Sequence, residues 1–137
     1  MIIVDTSVWI DFLNKRKTAQ TVWLLSGHDN EPIGLTALIL TKALQGIRLD
    51  NRFRQAQSYF RQFPVFNAVS TELAVLSAEN SRDLRKQGLT VRSTIDCLIA
   101  TFCIKNGFGL LHNDRDFDAF EEHLGLSVLH PPAVPLN

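Results

Sequence analysis

Residues 1–11 read Met1-Ile2-Ile3-Val4-Asp5-Thr6-Ser7-Val8-Trp9-Ile10-Asp11, and the fold is decided by this stretch. Met1 to Val4 is an apolar run without alternation, the pattern of a strand buried on both faces in a parallel sheet. Asp5 ends it. An open parallel sheet binds its ligands in the crevice beyond the carboxyl ends of its strands, so a carboxylate there stands where chemistry is done. Thr6 and Ser7 are good N-caps for a helix opened by Val8, Trp9, Ile10, Phe12 and Leu13. A solvated carboxylate at a helix start leaves the same signature, so Asp5 alone reads equally as cap or as site.

Outward from this stretch, strand and helix signals alternate. A basic turn at Lys15-Arg16-Lys17 precedes a helical segment around Thr21 to Leu25, and Gly27-His28-Asp29-Asn30 is a turn cluster. Pro32 to Leu35 permits a short strand. Thr36 then caps a helix to about Ile47, with Ile39, Leu40, Ala43, Leu44 and Ile47 on its apolar stripe and Lys42 off it. Asp50 to Phe63 is a second amphipathic helix, with Phe53, Ala56, Gln57 and Phe60 inward. Pro64-Val65-Phe66 reads as a core strand, and Thr71 begins a longer helix with Leu73, Leu76 and Leu84 inward, ending near Gly88. Ile95 to about Lys105 is apolar nearly all round and belongs in the centre of the fold. Gly109 to His112 gives another strand, Glu121 and Glu122 sit on a short helix, and Leu126 to Leu129 is a last strand. The alternation predicts an α/β fold, a parallel sheet covered on both sides, over residues 1–130, with residues 131–137 as an extended Pro-rich tail.

The chain has 137 residues, one domain's length, and 45% hydrophobic with 20% charged residues is an ordinary globular composition. Lys plus Arg balance Asp plus Glu at 14 each, so nucleic-acid binding requires a local basic patch. Cys97 and Cys103 lack C-x-x-C spacing and suit buried thiols of a reducing compartment. No leader pattern or membrane-length apolar run is present, and the expectation is a cytoplasmic protein.

Four acidic residues share one address: Asp5 after the first strand, Asp114 with Asp116 after Leu110-Leu111, and Asp96 in the first turn of the central helix. Crowded carboxylates repel, and a hard dication such as Mg²⁺ or Mn²⁺ is their natural partner. Asp96 has a second reading, since Ser93-Thr94-Ile95-Asp96 is a capping box. Asp114-x-Asp116-x-Asp118 fails as a calcium loop: its sixth position is Ala119 instead of Gly, and its twelfth is Gly125 instead of Glu. A D-x-D phosphoryl-transfer site fails because Ser7 holds the second acidic position. Phosphate-cradling glycine motifs are absent. A Ser or Cys nucleophile with one of His28, His112, His123 or His130 stays open, although nothing in the sequence pairs them.

Ile3 to Asp11, Leu38 to Ile47 ending Leu44-Gln45-Gly46-Ile47, Thr94 to Ala100 and Leu111 to Phe117 resemble, in order and spacing, the PIN-domain ribonucleases, above all the VapC toxins of bacterial toxin–antitoxin pairs. The resemblance implies a three-layer α/β/α fold around a parallel sheet and Mg²⁺- or Mn²⁺-dependent cleavage of RNA. It also implies a homodimer and a cognate antitoxin covering the site. By position it makes Asp5, Asp96 and Asp114 metal ligands and catalytic residues together with Asp116, supported by Thr6, Ser7 and Thr94. One position departs. Where the family carries Glu before Leu-x-Gly-Ile, this chain has Lys42, and an ammonium ~6 Å from a dication opposes its binding by on the order of 5 kcal/mol at an effective dielectric near 20. Lys42 could instead pair with Asp5 or Asp96 in the metal's place, or turn outward. The expectation is impaired cleavage, the alternative a silent PIN scaffold acting by antitoxin or RNA binding. RNA contact falls to Arg82, Arg85, Lys86 and Arg92, with Lys15 to Lys17 as further candidates. Trp9, Phe12, Leu13 and Trp23 are read either as an antitoxin groove or as core.

Overall fold

The computed structural model describes residues 1–26, 28 and 30–135, which leaves Gly27 and Asp29 of the expected turn, and Leu136 and Asn137 of the tail, outside the described residues. Among these residues are four strands, β1 (Ile2–Val4), β2 (Ile33–Thr36), β3 (Val65–Phe66) and β4 (Gly109–Leu111). Seven α-helices join them: α1 (Thr6–Leu13), α2 (Ala19–Ser26), α3 (Ala37–Gln45), α4 (Asp50–Phe60), α5 (Thr71–Lys86), α6 (Thr94–Asn106) and α7 (Asp118–Leu124), the last preceded by a 3₁₀ turn, Arg115–Phe117.

The strands pair in parallel in the order β3-β2-β1-β4. β1 is flanked on both sides, with Ile3 opposite Gly34 and Leu110, and all three of its residues are buried. Its unalternating apolar run has this cause. The chain steps outward from β1 to β2 and β3 and returns to the other side of β1 as β4, so right-handed crossovers put the helices on opposite faces. Helices α1 to α4 pack on one another, as do α5 to α7, giving the three-layer α/β/α arrangement.

The caps set the boundaries. Thr36 accepts from the Ile39 amide at 3.1 Å to start α3, and Ser93 accepts from the Asp96 amide at 3.2 Å to start α6. Gly107, at φ +68°, closes α6 in the left-handed conformation that frees Phe108 N–H to reach the Cys103 carbonyl at 3.0 Å.

Three expectations are corrected. β3 is a two-residue edge strand with Val65 45% exposed, because no strand covers its outer side. α4 ends at Phe60, short of the expected Phe63; on it Ala56 and Phe60 are buried but Phe53 and Gln57 are exposed, and Tyr59, with Phe63 just beyond the helix, packs inward in their place. The expected strand at Leu126 to Leu129 reduces to one parallel bridge, Leu110 to Val128.

Trp9 explains the α4 correction. It is fully buried, with the rings of Phe12, Tyr59, Phe60 and Phe63 at centroid distances between 5.0 and 6.1 Å. Turning α4 toward this indole brings Tyr59, half-buried, against it and leaves Phe53 exposed. Trp9 is core, and Trp23 is half-buried against that core. Trp9→Ala is expected to cost about 3–5 kcal/mol through cavity formation, read as a lower urea midpoint at unchanged m-value; a loss below ~1 kcal/mol would remove the indole from its central place.

Candidate active site

Asp5 follows β1 directly, and its amide extends the β1–β4 ladder by donating to the Leu111 carbonyl at 2.9 Å. Asp5 is itself the N-cap of α1, in place of Thr6 or Ser7: its Oδ2 accepts from the Ser7 amide at 3.0 Å and the Ser7 hydroxyl at 2.7 Å. Its Oδ1 is buried and has no hydrogen-bond partner. Capping thus occupies one carboxylate oxygen and leaves the second. The Ser7 hydroxyl also accepts from the Asn113 amide at 3.0 Å, tying the segment after β4 to the start of α1.

Across that tie, Asp114 caps the 3₁₀ turn by accepting from the Asp116 amide at 2.9 Å. The Asp114 amide in turn donates to His112 Nδ1 at 3.1 Å. Nδ1 is therefore unprotonated, and the hydrogen-bond pattern assigns the ring proton to Nε2, which is buried without a partner. Burial lowers the His112 pKa, against the opposing pull of Asp5, Asp118, Asp114 and Glu121, and keeps the ring neutral.

Asp96, in the first turn of α6, completes the group. Asp96, Asp114 and Asp116 each turn one carboxylate oxygen into a cluster whose members all lie within 4.8 Å of one another. Asp5 stands outside that radius, but its charge acts on Asp96. Burial first, then the Asp5 charge, push the Asp96 pKa up to about 6; Lys42 works against this and Asp114 and Asp116 add to it. The Lys42 ammonium is 3.9 Å from Asp96 Oδ1. An all-oxygen, anionic donor set beside an unpartnered buried carboxylate oxygen fits a hard dication, and Lys42 is the group that opposes it.

Of the supporting residues, Thr6 is buried with its hydroxyl unpartnered, whereas Thr94 is exposed. A cysteine nucleophile is excluded on physical grounds: Cys97 is buried with its thiol on the Ser77 carbonyl at 3.2 Å, and burial with the Asp5 charge pushes the Cys103 thiol up to about 12. From the sequence, His112 is named as a possible base and Asn113 falls in the matching segment, but neither is assigned its place beside Asp114 or Ser7. Their only signal was their place, directly between the β4 run and Asp114.

The basic residues fall at the same end. Glu72 meets Lys105 at 2.6 Å and Asn80 meets Thr101 at 3.0 Å, so α5 and α6 are antiparallel. The last turn of α5, with Arg85 and Lys86, and the loop residue Arg92 therefore lie at the Asp96 end of α6, and Arg82, Arg85, Lys86 and Arg92 are all exposed. Phe12 and Leu13 line a separate groove of about 750 Å³ with Ile47, Leu49 and Tyr59, rimmed by Lys15, Arg48 and Arg52. Among the described residues no helix is long and apolar enough to cross a membrane.

The carboxylates that follow the neighbouring parallel strands β1 and β4 lie within a chain that the PIN domain family model matches over residues 2–122, and the chain belongs to that family. Within it, the chain is 30% identical over 120 residues to the VapC ribonuclease Mb1587 of Mycobacterium bovis and to ribonuclease VapC11 of Mycobacterium tuberculosis, the match covering 86% of this chain and 90% of each relative. Its fold superposes on VapBC2 from Rickettsia felis, solved bound to a promoter DNA fragment, with a TM-score of 0.72 at 17% identity, covering 94% of this chain and 98% of that one. FitAcB from Neisseria gonorrhoeae superposes with a TM-score of 0.74 at 17% identity, covering 96% and 98%.

The raised Asp96 pKa sets a pH dependence. The folded chain holds a proton on Asp96 that the unfolded chain releases near 3.8, so this group disfavours folding increasingly as pH rises from about 4 to 6. Above that window the cost is on the order of 3 kcal/mol. In a chelator-containing buffer, Asp96→Asn is expected to match the unsubstituted chain near pH 4 and to exceed it in stability at pH 7 by about 2–3 kcal/mol. Equal stability at both pH values would show that Asp96 carries no such strain.

Proposed function

We propose that this chain is the toxin of a toxin–antitoxin pair, a Mg²⁺- or Mn²⁺-dependent endoribonuclease whose activity Lys42 holds down. The observation that carries the reading is the convergence of Asp96, Asp114 and Asp116 beside buried Asp5, in a chain related to VapC ribonucleases. Asp5, Asp96 and Asp114 would hold the ion, with Asp116 as a further ligand. A bound dication supplies Lewis acidity, which acidifies water and offsets negative charge on the reacting phosphate. The chain's own groups do the rest. Ser7 and the Ser93 cap fix the first-turn carboxylates, Thr6 and Thr94 support them, and Arg82, Arg85, Lys86 and Arg92 hold backbone phosphates at the Asp96 end of α6.

Lys42 stands where the resemblance expects a glutamate. Its ammonium competes with a dication for Asp96, from which it is 3.9 Å, and the exchange also takes away the carboxylate that the resemblance places there. The same contact favours the second reading, a PIN scaffold that no longer cuts and works by binding. The groove lined by Phe12, Leu13 and Tyr59 together with Lys15, Arg48 and Arg52 is the proposed seat of the cognate antitoxin, as the toxin–antitoxin complexes among similar folds support. Residues 1–130 act as the PIN domain of a cytoplasmic homodimer, with residues 131–137 as its tail.

Mn²⁺ calorimetry and cleavage of a mixed RNA, on this chain and on Lys42→Glu, decide between the readings. The expected result is binding at least ten-fold tighter in Lys42→Glu, with faster cleavage. Equal affinity and rate in both would put Lys42 outside the working site. Absence of binding and cleavage in both would overturn the nuclease reading in favour of the silent scaffold.

A further inference from the structure

Beside the carboxylate cluster lies a second cavity, of about 230 Å³, that shares Asp114 with it. At ~30 Å³ per water this is room for roughly seven waters, the scale of one planar ring system and far less than a chain of nucleotides. Its wall comes from four parts of the sequence: Gln20 on α2, Asn113 to Arg115 after β4, Asp118 at the start of α7, and Val128 to His130 in the last segment. Val128 and Leu129 are half-buried and apolar. The exposed His130 ring meets Glu121 Oε2 through its Nε2 at 2.8 Å, which places an imidazole at the rim. Next to this ring the wall carries a carboxylate, Asp118, a guanidinium, Arg115, and a half-buried amide, Gln20. His112, buried and holding an unpartnered Nε2–H, forms part of the same wall.

A cavity of this size with an imidazole at its rim, two apolar side chains and mixed donors and acceptors in its wall has the chemistry that reads an unstacked base of single-stranded RNA. We propose that this cavity receives one base of the RNA, adjoining the phosphate at the acidic cluster, and that its polar wall selects guanine. A single carboxylate takes two hydrogen bonds only from a base edge with two neighbouring donors, which guanine offers at N1–H and the 2-amino group. A guanidinium matches its O6 and N7 acceptors. Uracil and cytosine lack the double-donor edge, and adenine offers one amino group. Asp114 and Asp118 make the cavity unsuitable for a phosphate, so the sugar–phosphate chain stays outside, on the basic end of α5 and α6. The inference rests on the proposed binding of RNA at this site and adds to it the identity of one base.

The test is equilibrium binding of labelled octamers, all-uridine or with a single central guanine, adenine or cytosine, to the full chain. The guanine octamer is expected to bind roughly ten-fold tighter than the all-uridine one. Asp118→Asn should bring that ratio to about one while leaving the all-uridine affinity unchanged. Arg85→Ala with Lys86→Ala should weaken all four octamers alike and keep the ratio. Excess guanosine monophosphate should reduce the guanine octamer to the affinity of all-uridine without releasing it. Measurable but equal binding of the four octamers overturns the base pocket and spares the RNA reading. Competition by guanosine monophosphate without any octamer preference overturns it in favour of a free-nucleotide site, and absence of binding to every octamer overturns both readings together.

Discussion

Negative charge concentrated on the dry end of a sheet has to be balanced, and the C-terminal edge of β1 and β4 is built around that demand. Asp5 and Asp96 are buried, Asp114 is half-buried, and Asp116 joins them from the following turn. The strain shows in Asp96, which burial and the Asp5 charge bring to about 6. Three kinds of group offset it. Backbone and hydroxyl donors from Ser7 satisfy half of Asp5, the α6 N-terminus presents its positive dipole end to Asp96, and Lys42 brings a full charge to 3.9 Å. At an effective dielectric near 20 that pair attracts by ~4 kcal/mol, less after screening because Lys42 is about one-third exposed. This offset is partial, since the Asp96 pKa stays raised in its presence.

The fold delivers these charges through strand order. A chain that stepped steadily in one direction across the sheet would leave Asp5 and Asp114 on strands far apart. Reversal at β1 makes β1 and β4 neighbours, with Val4 opposite Leu111, so the residues that follow each strand meet. α6 enters the same edge because it packs antiparallel to α5 and must begin where β4 ends. The apolar bulk, with Trp9 and its ring of aromatics on one face, holds the strand ends in register without contributing to the chemistry.

The legible part of this in the sequence was what local pattern controls. An unbroken apolar run marked β1, Thr36 and Ser93 marked helix starts, and Gly88 marked an end, each through a backbone requirement within four residues. What pattern could not give was orientation set from a distance. The α4 stripe through Phe53 and Gln57 has the right period, yet the Trp9 indole selects the neighbouring stripe with Tyr59. Val65 and Phe66 have strand composition, but only the sheet order shows that β3 lies at an edge. Lys42 lies off the apolar stripe of α3, as the period demands, and its long side chain still reaches Asp96. His112 carried no signal of its own, because a tautomer fixed by the Asp114 amide exists only once the turn after β4 has formed.

Capping and site formation, which compete as readings of Asp5 and Asp96, are not physically exclusive. A carboxylate has two oxygens, and an N-cap uses one. Asp5 gives Oδ2 to Ser7 and keeps Oδ1, and Asp114 gives Oδ1 to the Asp116 amide. In Asp96 the cap is made by Ser93, so neither of its oxygens is spent on capping; one faces the cluster and Oδ1 lies 3.9 Å from the Lys42 ammonium. Starting a helix or turn at the end of a strand therefore does two things at once: it fixes the carboxylate's rotamer with a hydrogen bond and leaves an oxygen to converge with others. The Ser7 hydroxyl extends this by donating to Asp5 and accepting from Asn113, which sets the spacing between the β1 and β4 carboxylates through one atom. The acidic cluster is thus a consequence of how the elements begin, and its geometry is as stiff as the caps that make it.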